Sequence, residues 1–132
     1  MKKIAALFLS LMIISPTVFA DDDITVYLNE DELIFEQSPI IQNDSTLVPF
    51  RAIFENLDMV VQWFGDEQRV TAQKDDLTIT LFINENTMYV KDMPVELNTP
   101  PIIYNDYTLV PLRAVSESAG AEVFWDGDTH TV

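Results

Sequence analysis

The stretch LVPFRAIFE, Leu47 to Glu55, returns as LVPLRAVSE, Leu109 to Glu117, at a distance of 109 − 47 = 62 residues. In each copy a Leu-Val pair precedes a proline, and an Arg-Ala pair follows one residue later. Proline lacks an N–H and suits the first turn of a helix, so the pattern predicts a short strand that leads directly into a helix. The same strand-to-helix unit is therefore expected twice.

The repeat extends well beyond these nine residues. Pro39 to Val70 aligns with Pro101 to Val132 without a gap, and more than half of the aligned residues are identical. With the segments that precede them, the two copies span residues 24–73 and 77–132. Two long copies are too few for a solenoid, which needs about three or more repeats. A duplicated unit that closes one core is the better interpretation.

The first block of each copy predicts a β-hairpin. ITVYL, from Ile24, and LTITLFI, from Leu77, alternate β-branched or aromatic residues with polar ones, and the polar segments NEDE and NEN supply the turns. A Pro-Ile-Ile segment and an Asn-Asp turn then lead into the Leu-Val strand. The second copy is longer by an insertion around KDMPVELNTP, Lys91 to Pro100.

Helices are predicted over Pro49 to Leu57 and Pro111 to Ala119, with apolar residues on one face. Gly120 is expected as a left-handed residue that ends the second helix, and Asp58 takes that place in the first. The segments MVVQWFGDEQRVTAQ and AEVFWDGDTHTV then predict a further hairpin in each copy. The predicted fold class is α+β: two homologous halves, each made of antiparallel β-hairpins plus one short helix, forming one compact domain.

The first twenty residues are typical of a secretory signal peptide. Two lysines precede an apolar run from Ile4 to Ile14, and small residues end at Ala20. The run is too short to span a bilayer of about 30 Å as a helix. The sequence therefore predicts a signal peptide over residues 1–20, a domain over residues 21–132 and a location outside the cell or in the cell envelope, with no membrane insertion after cleavage.

Composition narrows the classes of partner. The chain has 22 acidic and 7 basic residues, a formal net charge of −15, and no cysteine. Such a charge repels nucleic acid and anionic lipid surfaces, so neither is expected as a partner. Hydrophobic residues make up 48% of the chain, which favours a packed domain over a disordered one. The expected partner is a protein or a cell-wall glycan.

The duplicated run resembles the copper amine oxidase-like N-terminal domain found in many secreted bacterial proteins. Leu-Val-Pro-(Leu/Phe)-Arg-Ala with a tryptophan twelve residues after the arginine occurs twice, and the resemblance covers Ile24 to Val132. Two features depart from it: Asn-Asp stands where the family often has Asn-Gly, and Asp58-Met59 replaces Gly-Ala. The resemblance implies a non-catalytic, stalk-type module without copper or cofactor. A copper site uses several imidazoles, and this chain has only His130.

The motif residues have a structural and a functional interpretation. A cation near a helix start is disfavoured by the helix dipole, so each arginine should have compensating contacts. We expect partly buried ion pairs from Arg51 to Glu55 and from Arg113 to Glu117, although contact with an anionic partner is the alternative. The candidate structural motif comprises Pro49, Arg51, Glu55, Trp63, Pro111, Arg113, Glu117 and Trp125.

Whether the two tryptophans are buried or exposed distinguishes a structural role from sugar binding. Trp63 and Trp125 each precede a Gly-Asp turn or its equivalent, and we expect them to cover the core or a helix. If they instead face solvent in a groove, they could stack on sugar rings. Burial of both would exclude that use.

Catalysis and tight metal binding have little support in the sequence. No cysteine exists, glycines occur only at 65, 120 and 127, and Asp126 and Asp128 lack the spacing of a calcium loop. The acidic residues are therefore interpreted as solvated surface charge. The predicted function is an exported, non-catalytic interaction and scaffolding module. A carbohydrate-binding module is the alternative, and a small hydrolase, which needs paired carboxylates in one cleft, comes third.

Overall fold

A computed structural model describes residues 24–132, so the predicted signal peptide over residues 1–20 lies outside the described residues. The described part folds into short strands and two helices. In chain order they are β1 (Val26–Leu28), β2 (Asp31–Leu33), β3 (Ile40–Gln42), β4 (Ser45–Pro49), α1 (Phe50–Asn56), β5 (Val60–Phe64), β6 (Arg69–Lys74), β7 (Leu77–Phe82), β8 (Thr87–Val90), β9 (Met93–Glu96), β10 (Ile102–Tyr104), β11 (Tyr107–Pro111) and α2 (Leu112–Ser118). The α+β class and the antiparallel pairing are as predicted.

The duplicated Leu-Val strands lie side by side. A four-stranded sheet has the order β10-β11-β4-β3, with each neighbouring pair antiparallel. At its centre Val110 of β11 opposes Val48 of β4, and these two residues are also equivalent in the sequence repeat. Both valines are completely buried. The two copies of the motif therefore meet across one pair of strands, and each strand delivers its chain into a helix at the opposite end.

A second sheet is a meander of five strands in the order β5-β6-β7-β8-β9. The sequence predicted its first four strands, whereas β9 lies in the segment interpreted as an insertion. β9 contains Pro94 and forms the edge of the sheet, where a missing N–H is tolerated. β1 and β2 form a separate two-stranded hairpin, as predicted.

Both helices are one residue shorter at each end than predicted. Pro49 and Pro111 close their strands and are the N-cap residues, not the first helical ones. At the other end Gly120 has φ 96° and Asp58 has φ 64°, which confirms the predicted left-handed ends. The backbone N–H of Ala121 donates to the carbonyl of Ser116 at 2.9 Å, as in a Schellman turn. Neither helix in the described part is long enough to cross a bilayer.

The hairpin predicted after α2 is reduced to a turn closed by a single antiparallel bridge. In the first copy, β5 and β6 pair over five positions, and β6 also pairs with β7 along its other edge. In the second copy the equivalent segments share one bridge, between Asp126 and Thr131. Thr131 also forms a parallel bridge with Thr25, so residues 130–132 lie beside β1.

One apolar cluster unites the first hairpin, both sheets and both helices. Phe54 and Val115 supply the fully buried faces of α1 and α2. Burial of such side chains stabilises the fold by about 1.5–3 kcal/mol each. The hydroxyl of Thr99, also completely buried, donates a hydrogen bond of 3.1 Å to the carbonyl of Gln42. This bond fixes the segment after β9 against β3.

Candidate functional site: the α2 groove

A groove of about 740 Å³ runs beside α2, and we call it the α2 groove. It collects all four motif residues of the second copy. Helix α2 supplies one wall, β3 and the end of β9 supply another, and the segment after α2 closes it. The residues that define it are Ile41, Leu97, Pro111, Arg113, Glu117 and Trp125. The residues singled out from the sequence of the second copy therefore share one concave surface.

Arg113 bridges α2 and the segment that follows it. Its Nη1 lies 3.2 Å from Oε2 of Glu117 and donates a second hydrogen bond of 3.1 Å to the carbonyl of Val123. The side chains of the ion pair are 55% and 50% exposed. The predicted i,i+4 pair is confirmed, but the expected partial burial is wrong, because both charged groups remain in contact with water.

Arg51 makes a weaker set of contacts. Its Nη1 lies 3.5 Å from Oε2 of Glu55, with side chains 56% and 53% exposed. The guanidinium carbon lies 5.2 Å from the centre of the Phe50 ring, within the range of a cation–π contact. Here too the predicted i,i+4 ion pair is confirmed, whereas its expected partial burial is wrong. The Arg51–Glu55 pair is exposed in the same way, but it does not line the α2 groove.

The tryptophans do not cover the core as expected. Trp63 is 37% exposed and Trp125 is 41% exposed. In both copies the indole lies over the turn that follows, since a Cβ on Gly65 or Gly127 would be 3.5 Å from the indole nitrogen. A partly exposed indole held over a glycine can still offer a ring face. The burial that would have excluded sugar stacking is therefore not observed.

Trp125 is additionally held by the chain's one histidine. The indole and the His130 imidazole are stacked, with ring centroids 6.1 Å apart and an angle of 7° between planes. This stack orients the indole at the wall of the α2 groove. His130 is thereby placed against an aromatic ring.

The charges along the α2 groove are mainly negative. Asp44, Glu96 and Glu117 line it, whereas Arg113 is its one cation among the lining residues. These groups surround apolar walls from Ile41 and other β3 and β9 side chains. The arrangement suits a partner that combines an apolar or aromatic group with positive charge or hydrogen-bond donors.

The wall contributed by β3 and β9 has no local signature in the sequence of the second motif. Ile41, Val95 and Leu97 come from strands distant from α2 along the chain, and Leu97 is nearly buried. A local pattern carries no information on which strand faces which helix. The only available signal was the apolar alternation in MPVEL, which the insertion obscured.

Two ionisable groups outside the α2 groove have shifted pKa values. Arg69 donates hydrogen bonds of 2.8 and 3.2 Å to Glu67, and these bonds together with its charge lower the pKa of the Glu67 carboxyl below its usual value of 4.5. The hydroxyl of Tyr107 donates to Glu36 at 3.0 Å, which raises the pKa of Tyr107. The first contact spans the turn between β5 and β6, and the second joins the start of β11 to the segment after β2. Neither Glu67 nor Tyr107 lines the α2 groove.

Metal ligands are dispersed in the described residues. Within residues 24–132, no three side chains of the His, Cys, Asp or Glu type converge as an ion site. Asp126 accepts a hydrogen bond of 3.0 Å from the backbone N–H of Asp128, so part of this carboxylate stabilises the turn.

Comparisons with known proteins supply the family. The family described as the copper amine oxidase N-terminal domain matches residues 27–132. The match includes both copies of the motif and nearly every residue that the structure describes. No curated protein matches the chain significantly.

Proposed function

Because the chain belongs to the copper amine oxidase N-terminal domain family, a non-catalytic module, we propose that it is an exported interaction and scaffolding module of the cell envelope or extracellular space. The proposed module binds another macromolecule and performs no chemistry of its own. Its two motif copies serve as halves of one scaffold.

The α2 groove carries the proposal. It combines an apolar wall, a half-exposed ion pair between Arg113 and Glu117, and the partly exposed ring of Trp125. Aromatic and arginine side chains dominate the binding energy of many interfaces because they offer large contact area with directed hydrogen bonds. Such a combination beside a rigid helix is typical of a recognition surface.

Export is supported by the N-terminal sequence and the charge. The apolar run from Ile4 to Ile14 behind two lysines has the features of a signal peptide. The absence of cysteine frees the domain from any need for an oxidant, and a net charge of −15 favours solubility. The same charge disfavours nucleic acid and anionic membranes as partners.

The proposal of two homologous halves is supported by the strand register. Val48 and Val110 are equivalent in the sequence and oppose each other in the sheet. One step away, Pro49 opposes Leu109 and Leu47 opposes Pro111, so the pairing is the same when the copies are exchanged. A duplicated unit that pairs with its own copy explains this arrangement.

Binding to a cell-wall glycan is the second candidate function. Trp125 is exposed within a groove, and an indole face stacks on the apolar face of a sugar ring. Carboxylates such as Asp44 and Glu96 could accept hydrogen bonds from sugar hydroxyls. Trp63 is exposed as well but lies on β5, away from the residues that line this groove.

A retention experiment tests the proposal. The purified protein is immobilised and exposed to solubilised envelope proteins and, separately, to purified peptidoglycan. We expect a defined set of envelope proteins to be retained and Trp125→Ala to reduce retention at least fivefold. Trp63→Ala is the matched control, since it removes an equally exposed indole from the other copy. Retention of peptidoglycan alone would favour the glycan-binding function, and retention of neither would contradict both.

A further inference from the structure

The two motif copies differ at the residue that opens each Leu-Val strand. β4 begins with Ser45 and β11 begins with Tyr107, and the two positions are separated by 107 − 45 = 62 residues, the offset of the repeat. Their backbones are alike, since Ser45 pairs with Gln42 and Tyr107 with Tyr104, each across a two-residue Asn-Asp turn with positive φ values. The side chains of Ser45 and Tyr107 therefore leave the sheet at equivalent places.

Tyr107 reaches from its strand to the segment that leads into β3. Its hydroxyl donates a hydrogen bond of 3.0 Å to Oε1 of Glu36, and the residue is only partly exposed. Glu36 precedes the first proline of its copy by three residues, and Asn98 does the same in the other copy. The counterpart of the Tyr107–Glu36 pair is therefore Ser45 with Asn98.

Ser45 and Asn98 both line the α2 groove. Thr99, the neighbour of Asn98, donates to the carbonyl of Gln42, which in turn pairs with Ser45. The segment of Asn98 thus lies against β3 and β4, as the segment of Glu36 lies against β11. A serine side chain ends at its hydroxyl and lacks the ring that makes the contact in the other copy. The α2 groove therefore has open space where the equivalent place holds a phenol ring, and the cause is a residue inside β4.

The charges around this space select the residues beside an incoming ring. Asp44, Glu96 and Glu117 line the groove, and Arg113 is the one cation among the lining residues. Asn98 offers a neutral amide oxygen to a phenol hydroxyl, where the other copy has the carboxylate of Glu36. A ring flanked by lysine or arginine is therefore favoured over one flanked by acidic residues.

We infer that the α2 groove binds a tyrosine side chain of a partner protein, flanked by basic residues, with the ring beside Ser45 and the hydroxyl bonded to Asn98. This inference rests on the proposed function, since it names what the interaction module recognises. None of the four tyrosines in the sequence lines the groove, so none of them supplies the ring. A phenol ring combines a large apolar contact with one directed hydrogen bond, which makes tyrosine an effective anchor of interfaces.

A short peptide tests the recognition chemistry. The probe is acetyl-Lys-Tyr-Lys-amide, and NMR should show saturable shifts of the backbone amide of Ser45 and the side-chain amide of Asn98. Acetyl-Lys-Phe-Lys-amide should bind roughly fivefold more weakly, because it lacks the hydroxyl. Acetyl-Glu-Tyr-Glu-amide should also bind more weakly, because the groove is mainly negative. Equal binding of the tyrosine and phenylalanine peptides, or no shift in the α2 groove, would overturn the inference.

Ser45→Tyr tests the equivalence of the two places from inside the molecule. The new ring should occupy the open space, raise Tm by roughly 4 °C and weaken binding of the probe at least tenfold. Ser38→Tyr is the matched control, since it adds the same ring at an exposed serine outside the groove and should bind the probe as the original protein does. Undiminished binding of the probe by folded Ser45→Tyr would overturn the inference.

The reverse exchange supplies an independent variant. Tyr107→Ser removes the phenol ring that contacts Glu36, so it should lower Tm and create a second site for the probe. The additional shifts should appear at Glu36 and at residue 107. This variant decides the equivalence if Ser45→Tyr does not fold. A folded Tyr107→Ser protein without a second site would contradict it.

The retention experiment separates the two proposals. If Ser45→Tyr loses the envelope proteins that the original protein and Ser38→Tyr retain, and the free probe releases them, a tyrosine of the partner occupies the α2 groove. If Ser45→Tyr retains them and the probe releases none, the tyrosine inference is wrong while the proposed interaction function stands. If the probe releases only a second copy of the chain, the assignment to a partner protein is wrong. If the original protein retains no protein, the proposed function itself fails.

Discussion

Arg113 and Arg51 occupy matching positions, yet their guanidinium groups have different partners. An exposed i,i+4 ion pair contributes about 0.5 kcal/mol, and a hydrogen bond from a charged group to a carbonyl contributes about 1 kcal/mol more. Only Arg113 has such a second bond, to Val123. We therefore expect Arg113→Ala to lower the free energy of unfolding by about 1.5 kcal/mol and Arg51→Ala by about 0.7 kcal/mol, measured by urea denaturation.

The control for these arginines is Lys91→Ala. Lys91 forms an exposed pair with Asp76 at 3.5 Å, and its loss should change stability by less than about 0.5 kcal/mol. If Arg113→Ala and Arg51→Ala lower stability equally, the bond to Val123 has no energetic role. If neither variant changes stability but partner retention falls, the functional interpretation of the arginines is correct.

Glu67 gives the fold a measurable response to acid. Arg69 lowers the pKa of its carboxyl, so the ionised form is favoured in the folded state. A group with a depressed folded pKa stabilises the protein above its unfolded pKa, and this contribution is lost as pH falls through the folded pKa. We expect the difference in stability between the original protein and the Glu67→Gln variant to become smaller as pH falls below 4.5. Thermal melts across that pH range measure this difference. A difference that stays constant with pH would contradict the assignment.

At the scale of elements, the end of α2 depends on one backbone conformation. Gly120 has φ 96°, and no atom lies within 4 Å of the position its Cβ would take. Gly120→Ala therefore introduces backbone strain without a clash, and we expect a loss of about 1–2 kcal/mol in the free energy of unfolding. The control is Gly65→Ala, where the new Cβ would only touch the Trp63 indole at 3.5 Å. Equal losses in the two variants would show that strain is not the cause.

The elements that sequence predicted correctly are those set by local chemistry. Alternating side chains specify the hairpins at β1 and β7, and proline before an apolar helical spacing specifies α1 and α2. The hairpin expected at Asp126 forms only one bridge, because a strand needs a paired neighbour along its length and the pattern of one segment does not specify that neighbour. The residue type of Trp125 likewise suggested burial, but its position over Gly127 leaves the side chain partly exposed.

At the scale of the whole molecule, the α2 groove could not be predicted because its walls come from distant parts of the chain. Ile41 and Leu97 face a helix that begins at Leu112, and the pairing of β4 with β11 brings them there. The sequence repeat predicted that the chain forms the same strand-to-helix unit twice. Which copy lines a groove depends on the non-equivalent segments, above all β9, which belongs to the second copy alone.

The net charge of the chain affects the stability of the whole domain. A formal charge of −15 creates repulsion throughout the fold, and salt shortens its range from about 30 Å at 0.01 M to about 8 Å at 0.15 M. We expect Tm to rise by several degrees over this range of sodium chloride. Calcium and magnesium chlorides at equal ionic strength should then give equal shifts, because within residues 24–132 acidic side chains do not converge as an ion site. A further, saturable rise with calcium alone would contradict the interpretation of these carboxylates as solvated surface charge.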